Sequence, residues 1–416
     1  MVQATPSLNA SRLAPSRPIE ARAAFLLDLG RALHLYGTPT HRLENAMHQI
    51  GQRLDLEPQV LATPTSITVA FGPAYDQRTA LIRVEPGGIN LEKLADVDHL
   101  VSEVLSGESS LEEGHARLRK LAASKPRYGT ASYVLAGAAI SGAAARFFSG
   151  TLLEILLSLL MGGVIAWMTV WANRTPETSR LLEPLAATLA AVIAVGAACI
   201  WPVSTDLVTV CALIALVPGF TLTIAIQELA TRHLVAGASR MFAATLTFLQ
   251  LGFGVFLAAQ LSELLPLLVA PRPAPVSGMT TEIAALGASA LAFAVLFQTK
   301  PRDIGWLVLS GAVAYLGARF GSLMMGPVIG AFIGAMGVAL LSNLFARVTS
   351  RPATILLVPG TILLVPGSVG LRSITSLIGH DVLGGVETGF TMLMVATAIV
   401  AGLLVVDAIF PARRSL

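Results

Sequence analysis

Two short stretches gather side chains that could move protons or attack a carbonyl. YGTPTHRLE runs from Tyr36 through Gly37, Thr40 and His41 to Glu44, and ATPTS adds Thr63 and Thr65. A hydrolase would pair His41 with Glu44 and use a Thr or Ser hydroxyl as nucleophile. No complete set of nucleophile, base and oxyanion donors is visible. The plainer reading gives Thr38 and Thr40 to helix caps, Arg42 and Glu44 to a solvated face, and His41 to a local hydrogen bond. His34, His41 and His48 are spaced by seven, but a proline and a glycine interrupt any shared helical face, so metal binding is not expected.

The elements around these residues split the chain in two. It is 54% hydrophobic and 13% charged with mean hydropathy +0.72, where ordinary soluble domains carry about 25% charge. Residues 1–128 hold 14 acidic and 14 basic residues, leaving 11 acidic and 14 basic for the remaining 288. A soluble domain therefore precedes a membrane domain. Residues 1–18, rich in Pro, Ser and Arg, read as a disordered lead-in without a signal-peptide core, which keeps the next segment in the cytoplasm. Residues 19–128 read as an α+β domain: helical spacing in IEARAAFLLDLGRALHLYG and PTHRLENAMHQIGQRLDL, then a strand pair around GPAYDQ, then two more helices. Cys199 and Cys211 lie in apolar stretches and read as packed hydrophobes. The basic excess sits at span boundaries, which argues against nucleic-acid binding.

Apolar runs of about 20 residues number ten: 130–148, 151–173, 181–201, 204–219, 240–265, 280–298, 303–324, 326–346, 352–367 and 387–410. With the amino terminus inside, fourteen Lys or Arg flank the inner ends and only Arg146, Arg272 and Arg372 the outer ones. That bias puts both termini in the cytoplasm. Sliding the sequence by 148 residues lays IALVPG (Ile214 to Gly219) on ILLVPG (Ile362 to Gly367), with five of six positions identical. Five spans per half is an odd number, so the fold class expected is an α-helical membrane protein of two inverted repeats, 129–275 and 276–416.

Interrupted helices in matching places of two repeats point to a substrate pathway in secondary transporters. Pro218 with Gly219, and Pro366 with Gly367, mark the matched interruptions. Pro359 with Gly360 has no counterpart and predicts a ninth span more broken than the fourth. After each break comes a semi-polar stretch. Glu228 is the coupling candidate in the first, against a plain i,i+4 ion pair with Arg232. Arg372, His380 and Asp381 are the candidates in the second. Arg319, Gln250, Asn343 and Asp206 are further intramembrane polar groups, with Arg319 suited to a substrate carboxylate.

YGTPTHRLENAM, LATPTSITVAFG, the soluble domain joined to ten spans, and the two VPG breaks followed by LATRHLVAGASR and IGHDVLGGVETGF together resemble the threonine/serine exporter family. The resemblance covers residues 19–412. It implies a bacterial inner-membrane carrier that exports small hydroxy amino acids on proton-motive force, without a cofactor. Its partners would be threonine or serine, protons and the lipid bilayer, with self-association left open. Relatives that divide this architecture between two chains have been linked to dicarboxylate export, which keeps a succinate-like substrate as the alternative. A membrane-anchored hydrolase built on His41 and Thr65 is the rival from another class.

Overall fold

The computed structural model describes residues 18–73, 75–262 and 271–412. The expected lead-in lies outside these apart from Pro18, as does the end of the fifth expected span. The amino-terminal part contains α1 (Pro18–Leu35), α2 (Thr40–Arg53), β1 (Gln59–Thr63), β2 (Ser66–Phe71), β3 (Arg78–Arg83), α3 (Leu91–Ser106) and α4 (Leu111–Ala123). The antiparallel sheet has the order β1-β2-β3. Apolar residues at helical spacing, such as Phe25, Leu26, Leu29 and Leu33 on α1 and Leu43, Met47 and Ile50 on α2, meet Ile67 and Val69 of β2 in one core. Asn90 caps α3, and Ser110 with Glu113 forms a capping box on α4.

The sequence predicts a single strand pair, whereas three strands form. The first stretch folds on itself, with Thr63 opposite Ser66 and a two-residue turn at Pro64-Thr65. Pro64 cannot donate to a ladder, so the run must turn there. The Thr63 hydroxyl accepts from the Ser66 amide at 3.0 Å, and Thr65 is exposed, so both serve the turn.

The rest is helical: α5 (Thr130–Phe147), α6 (Leu152–Ala172), the single turn α7 (Pro176–Ser179), α8 (Leu182–Ala198), α9 (Thr205–Ala212), α10 (Gly219–Ala230), α11 (Leu234–Ser262), α12 (Met279–Leu296), α13 (Ile304–Met325), α14 (Pro327–Thr349), α15 (Thr354–Leu364), α16 (Gly367–Ile378) and α17 (Val382–Ile409). Among the described residues, seven stretches are long and apolar enough to cross a membrane, and α8 is a shorter apolar helix. The first, third and fourth expected spans fall on α5, α8 and α9, which are too short or too polar to be counted with the seven. Small residues let neighbouring helices approach closely: a Cβ on Gly317 of α13 would stand 2.9 Å from the Gly334 Cα of α14.

The helices are interrupted at both Val-Pro-Gly positions. The chain leaves α9 at Ala212 and re-enters a helix only at Gly219, and it leaves α15 at Leu364 and re-enters at Gly367. Pro218 (φ −81°, ψ 37°) and Pro366 (φ −82°, ψ 33°) take the same backbone conformation. Pro359-Gly360 behaves otherwise and corrects the expectation of a more broken ninth span. Pro359 lies inside α15, which continues to Leu364, while α9 is only eight residues long. A lost amide donor removes one helical bond, and packing compensates. The Ser310 hydroxyl donates to the Leu356 carbonyl at 2.9 Å, and bare Gly360 admits Ser310 and Val338 against the helix.

The α/β part sits directly on the helices. Phe220, Phe297, Val358 and Ile362 join its core. The α3 amino terminus donates from Leu91 to the Phe297 carbonyl at 2.9 Å and from Glu92 to the Gln298 carbonyl at 3.2 Å.

Candidate functional site

The TPTHR segment is placed by a tight corner. Gly37 adopts φ 87°, and a Cβ there would lie 3.2 Å from the Ile89 Cα, so the α1–α2 turn excludes larger residues. The Pro39 carbonyl takes the Arg42 and Leu43 amides, which starts α2 and leaves the Thr40 amide without an acceptor of its own. The acceptor comes from 188 residues away. Glu228 of α10, fully buried, receives the Thr40 amide at 3.0 Å and holds the Arg240 Nε of α11 between its two oxygens at 3.1 Å each. A carboxylate at a helix amino terminus also meets the positive end of the helix dipole.

The expected Glu228–Arg232 ion pair is not formed. Arg232 turns left-handed at φ 66° in the α10–α11 corner, and that turn carries Arg240 back to Glu228 instead. His233 in the same corner places Nε2 3.1 Å from Glu44 Oε2 and Nδ1 3.1 Å from the Thr231 hydroxyl. The other Glu44 oxygen accepts the Ala62 amide at 2.7 Å. Glu44 is therefore committed to a histidine of the membrane helices, and the His41–Glu44 pair a hydrolase would need does not form. His41 is 9% exposed, its Nδ1 has no partner, and its ring lies 6.1 Å from that of His233.

Burial is the main cause that lowers the His41 pKa from 6.5 to about 3, with the Arg42, His233 and Arg240 charges adding to it. The folded protein thus keeps this ring neutral where the unfolded chain would protonate it. Unfolding takes up a proton between those two values, so stability falls as pH drops from about 6.5 towards 3, by up to about 1.4 kcal/mol per pH unit for this group. His41→Asn should flatten the acid slope of thermal unfolding in detergent, and an unchanged slope would contradict the buried neutral ring. His34 is shifted the same way by burial, and its Nε2 meets the Pro64 carbonyl at 3.0 Å. Tyr36 is buried with its hydroxyl unpaired, under the Lys93 ammonium at 5.5 Å.

The two helix breaks form a second locus. A Cβ on Gly219 would stand 2.8 Å from the Gly367 Cα, and one on Gly367 would stand 2.8 Å from Val217 Cγ1, so the breaks touch. The helix after each break packs on the long helix that follows the other break: Gly370 of α16 lies against Phe248 of α11, and Leu222 of α10 meets Ala396 of α17.

The remaining candidates are dispersed. Arg319 pairs with Glu282 and donates to the Tyr315 hydroxyl at 2.7 Å, with half its side chain exposed. Arg372 lies over the Phe148 ring at 4.6 Å, His380 occupies a left-handed corner at φ 62°, and Asp381 accepts the Gly384 amide at 3.0 Å as the α17 cap. No ion pair joins these three among the described residues. Asp206 is exposed in the first turn of α9, and Gln250 is half-buried on α11. Asn343 donates to Asp407 Oδ1 at 2.9 Å and to the Phe410 carbonyl at 2.8 Å.

Sequence reasoning does not single out Arg240 or His233, and it reads Glu154, near a span end, as interfacial. The first two lie at no helical spacing from Glu228 or Glu44, so only the folded corner pairs them. Glu154 had a readable signal, Thr-x-x-Glu at a helix start. It is fully buried, accepts the Thr151 and Ser204 amides at 2.8 and 2.7 Å, and pairs with Arg272 at 2.6 Å.

Two family models match. One, described as a threonine/serine exporter, covers residues 24–262, and a second, "Threonine/Serine exporter, ThrE", covers 282–409. Relatives named pheromone-regulated membrane protein 10 are similar over much of the chain. The Candida albicans protein is 30% identical over 79% of this chain and 31% of its own length. The Yarrowia lipolytica protein is 30% identical over 57% of this chain and 20% of its own, and the Saccharomyces cerevisiae protein 31% identical over 58% and 32%. The chain thus spans a third or less of these fungal relatives. No solved structure matches. With more than half its length inside one family model and most of the remainder inside the other, the chain belongs to the threonine/serine exporter family of membrane transporters.

Proposed function

We propose that the protein is a secondary carrier that exports threonine and serine by alternating access of two inverted five-span repeats, with ten crossings and both termini in the cytoplasm. The observation that carries this is the meeting of Gly219 and Gly367 at two breaks of equal backbone geometry, since interrupted helices at a repeat interface are where such carriers bind substrate. The 148-residue offset supports the repeat: it moves α10 onto α16 residue for residue and the start of α11 onto the start of α17. Inversion is supported by the ends the two post-break helices reach. The α10–α11 corner lies against the α/β part, whereas Arg372 of α16 lies beside Phe148 at the α5–α6 turn, which the basic-residue count assigns to the outer face.

The α/β part acts as a cytoplasmic gate, because it grips both halves at that end: Glu228 and His233 from the first, residues 297–300 from the second. Glu228 is the proposed proton carrier. Its carboxylate is held by the Thr40 amide of the α/β part and by Arg240 of α11, which makes it the group through which the two parts are joined. The hydrolase reading lacks its parts, with Glu44 bound to His233 and Thr65 exposed in a turn.

Proteoliposomes loaded with radiolabelled serine, threonine or succinate test the proposal. Serine and threonine efflux accelerated by an inward-directed proton gradient is expected. Succinate flux alone would replace the substrate class, and no flux of any of the three from folded protein would overturn the carrier.

A further inference from the structure

The interrupted segment of the first half is gripped at both ends by a buried carboxylate. At the α10 end Glu228 binds the Thr40 amide and Arg240, and at the α9 end stands Glu154 of α6. Among the described residues these are the two glutamates with no exposure at all. Glu154 Oε1 accepts the amide of Ser204, the residue that caps α9, at 2.7 Å. Its Oε2 accepts the Thr151 amide at 2.8 Å and Arg272 Nη2 at 2.6 Å. Arg272 differs in kind from Arg240, because it sits on no helix, is 45% exposed and belongs to the stretch that joins the two halves. That stretch is pinned to the α5–α6 end twice more: the Val276 amide donates to the Gly150 carbonyl at 3.0 Å, and Arg146 Nη2 donates to the Gly278 carbonyl at 3.0 Å. Residues 272–278 thus form a strap whose ion-pair anchor is a fully buried carboxylate.

Moving one half against the other pulls on this strap. If Arg272 leaves, water hydrates it, whereas Glu154 would be a charge inside protein without a counter-ion, so it neutralises by taking a proton. The neighbouring groups do not substitute for the lost cation. Arg146 is held by Thr281 and Gly278, Arg372 lies on the Phe148 ring, Asp206 is exposed and of the same sign, and Cys199 and Cys211 carry no positive charge. Resting on the carrier reading above, we propose that Glu154 is an outer proton-binding site and that the proton it binds releases the strap. The proton comes from water on the outer side and forms an O–H bond at Oε2, while the hydrogen bond from Arg272 to that oxygen breaks and the guanidinium turns to solvent. Oε1 keeps the Ser204 amide, so α9 stays attached as the link between the halves is freed. Acid outside therefore favours the strap-free state, and alkali the strapped one.

The test uses the full chain in lipid nanodiscs, with a spin label on exposed Ala274→Cys in a Cys199→Ser background, since Cys211 is buried. The label should be immobile at about pH 8 and mobile at about pH 5 with Glu154 and Arg272 in place. Glu154→Gln, which mimics the protonated acid, and Arg272→Gln should leave it mobile throughout, and Arg272→Lys should restore the transition. A label that keeps the original pH dependence in Glu154→Gln, or stays immobile in Arg272→Gln, overturns the site. Serine counterflow in proteoliposomes with equal pH on both sides is the transport readout. At about pH 8 Glu154→Gln should exchange about fivefold faster than the wild type, with the difference vanishing at about pH 5. Slower exchange in folded Glu154→Gln at every pH is what a merely structural pair would give, and it overturns the proposal. Should Glu154→Gln fail to fold, Arg272→Gln, changed at a half-exposed side chain, carries both readouts with the same expected outcome. No serine exchange in the wild type, with the label transition intact, overturns the carrier reading and leaves the proton site of the strap standing.

Discussion

Glu228→Ala should be strongly destabilising, costing about 3–5 kcal/mol, because it strands a guanidinium in a buried place. Arg240 is 16% exposed and both its contacts with Glu228 are at 3.1 Å, so little water is at hand to replace the lost carboxylate. The Thr40 amide loses its acceptor at the same time, which adds the cost of an unsatisfied buried donor. Replacing both partners, in Glu228→Ala with Arg240→Met, should recover most of the loss, since an apolar pair of similar volume tolerates burial. Recovery should stay incomplete because the amide is still unpaired. Thermal unfolding in detergent measures both variants. A second readout is maleimide labelling in Thr40→Cys, a position buried in the intact protein, which should accelerate when Glu228→Ala loosens α2 from the helices. Unfolding and labelling that match the wild type would remove Glu228 from the interface between the two parts.

The second large effect is expected at the breaks. A methyl group on Gly219 would stand 2.4 Å from Val365 Cγ1 and 2.8 Å from the Gly367 Cα, and the latter is backbone that cannot rotate away. Gly219→Ala should therefore push the two halves apart at their point of contact, at a cost of about 1–3 kcal/mol for the overpacking. Gly367→Ala should cost less, since its closest backbone neighbour lies at 3.4 Å and its 2.8 Å contact is a side-chain methyl of Val217 instead of backbone. Gly196→Ala is the control. Nothing lies within 4 Å of the added Cβ in α8, so the change should be neutral or slightly stabilising through helix propensity. Equal stability of Gly196→Ala and Gly219→Ala would mean that the breaks do not touch.

What could be read in the sequence follows from which forces are local. Apolar spacing gave α1 to α4 nearly to their ends, and Val-Pro-Gly located the two interruptions, because periodicity and missing amides act within a few residues. Pro359 shows where that logic fails. A proline inside an apolar helix is judged by its neighbours, and Gly360 with Ser310 let α15 pass through it. The site was legible as a set of residue types and not as a set of partners. Glu228 was visible as a charge in apolar sequence, but its natural partner by spacing was Arg232, while the left-handed turn at that residue delivers Arg240. Arg42 read as a solvated charge because nothing near it in sequence shows that α2 lies against helices more than 180 residues away. Glu44 read as half of a pair with His41 for the same reason, and folding gave it to His233.

Serine counterflow tests alternating access around the breaks most directly. Proteoliposomes preloaded with unlabelled serine are mixed with a trace of labelled serine outside, and uptake is followed for the wild type, Gly219→Ala and Gly196→Ala. A pathway through the touching breaks predicts a transient overshoot in the wild type and in Gly196→Ala, and its loss in Gly219→Ala. An overshoot of wild-type size in folded Gly219→Ala, or none in the wild type, would contradict it.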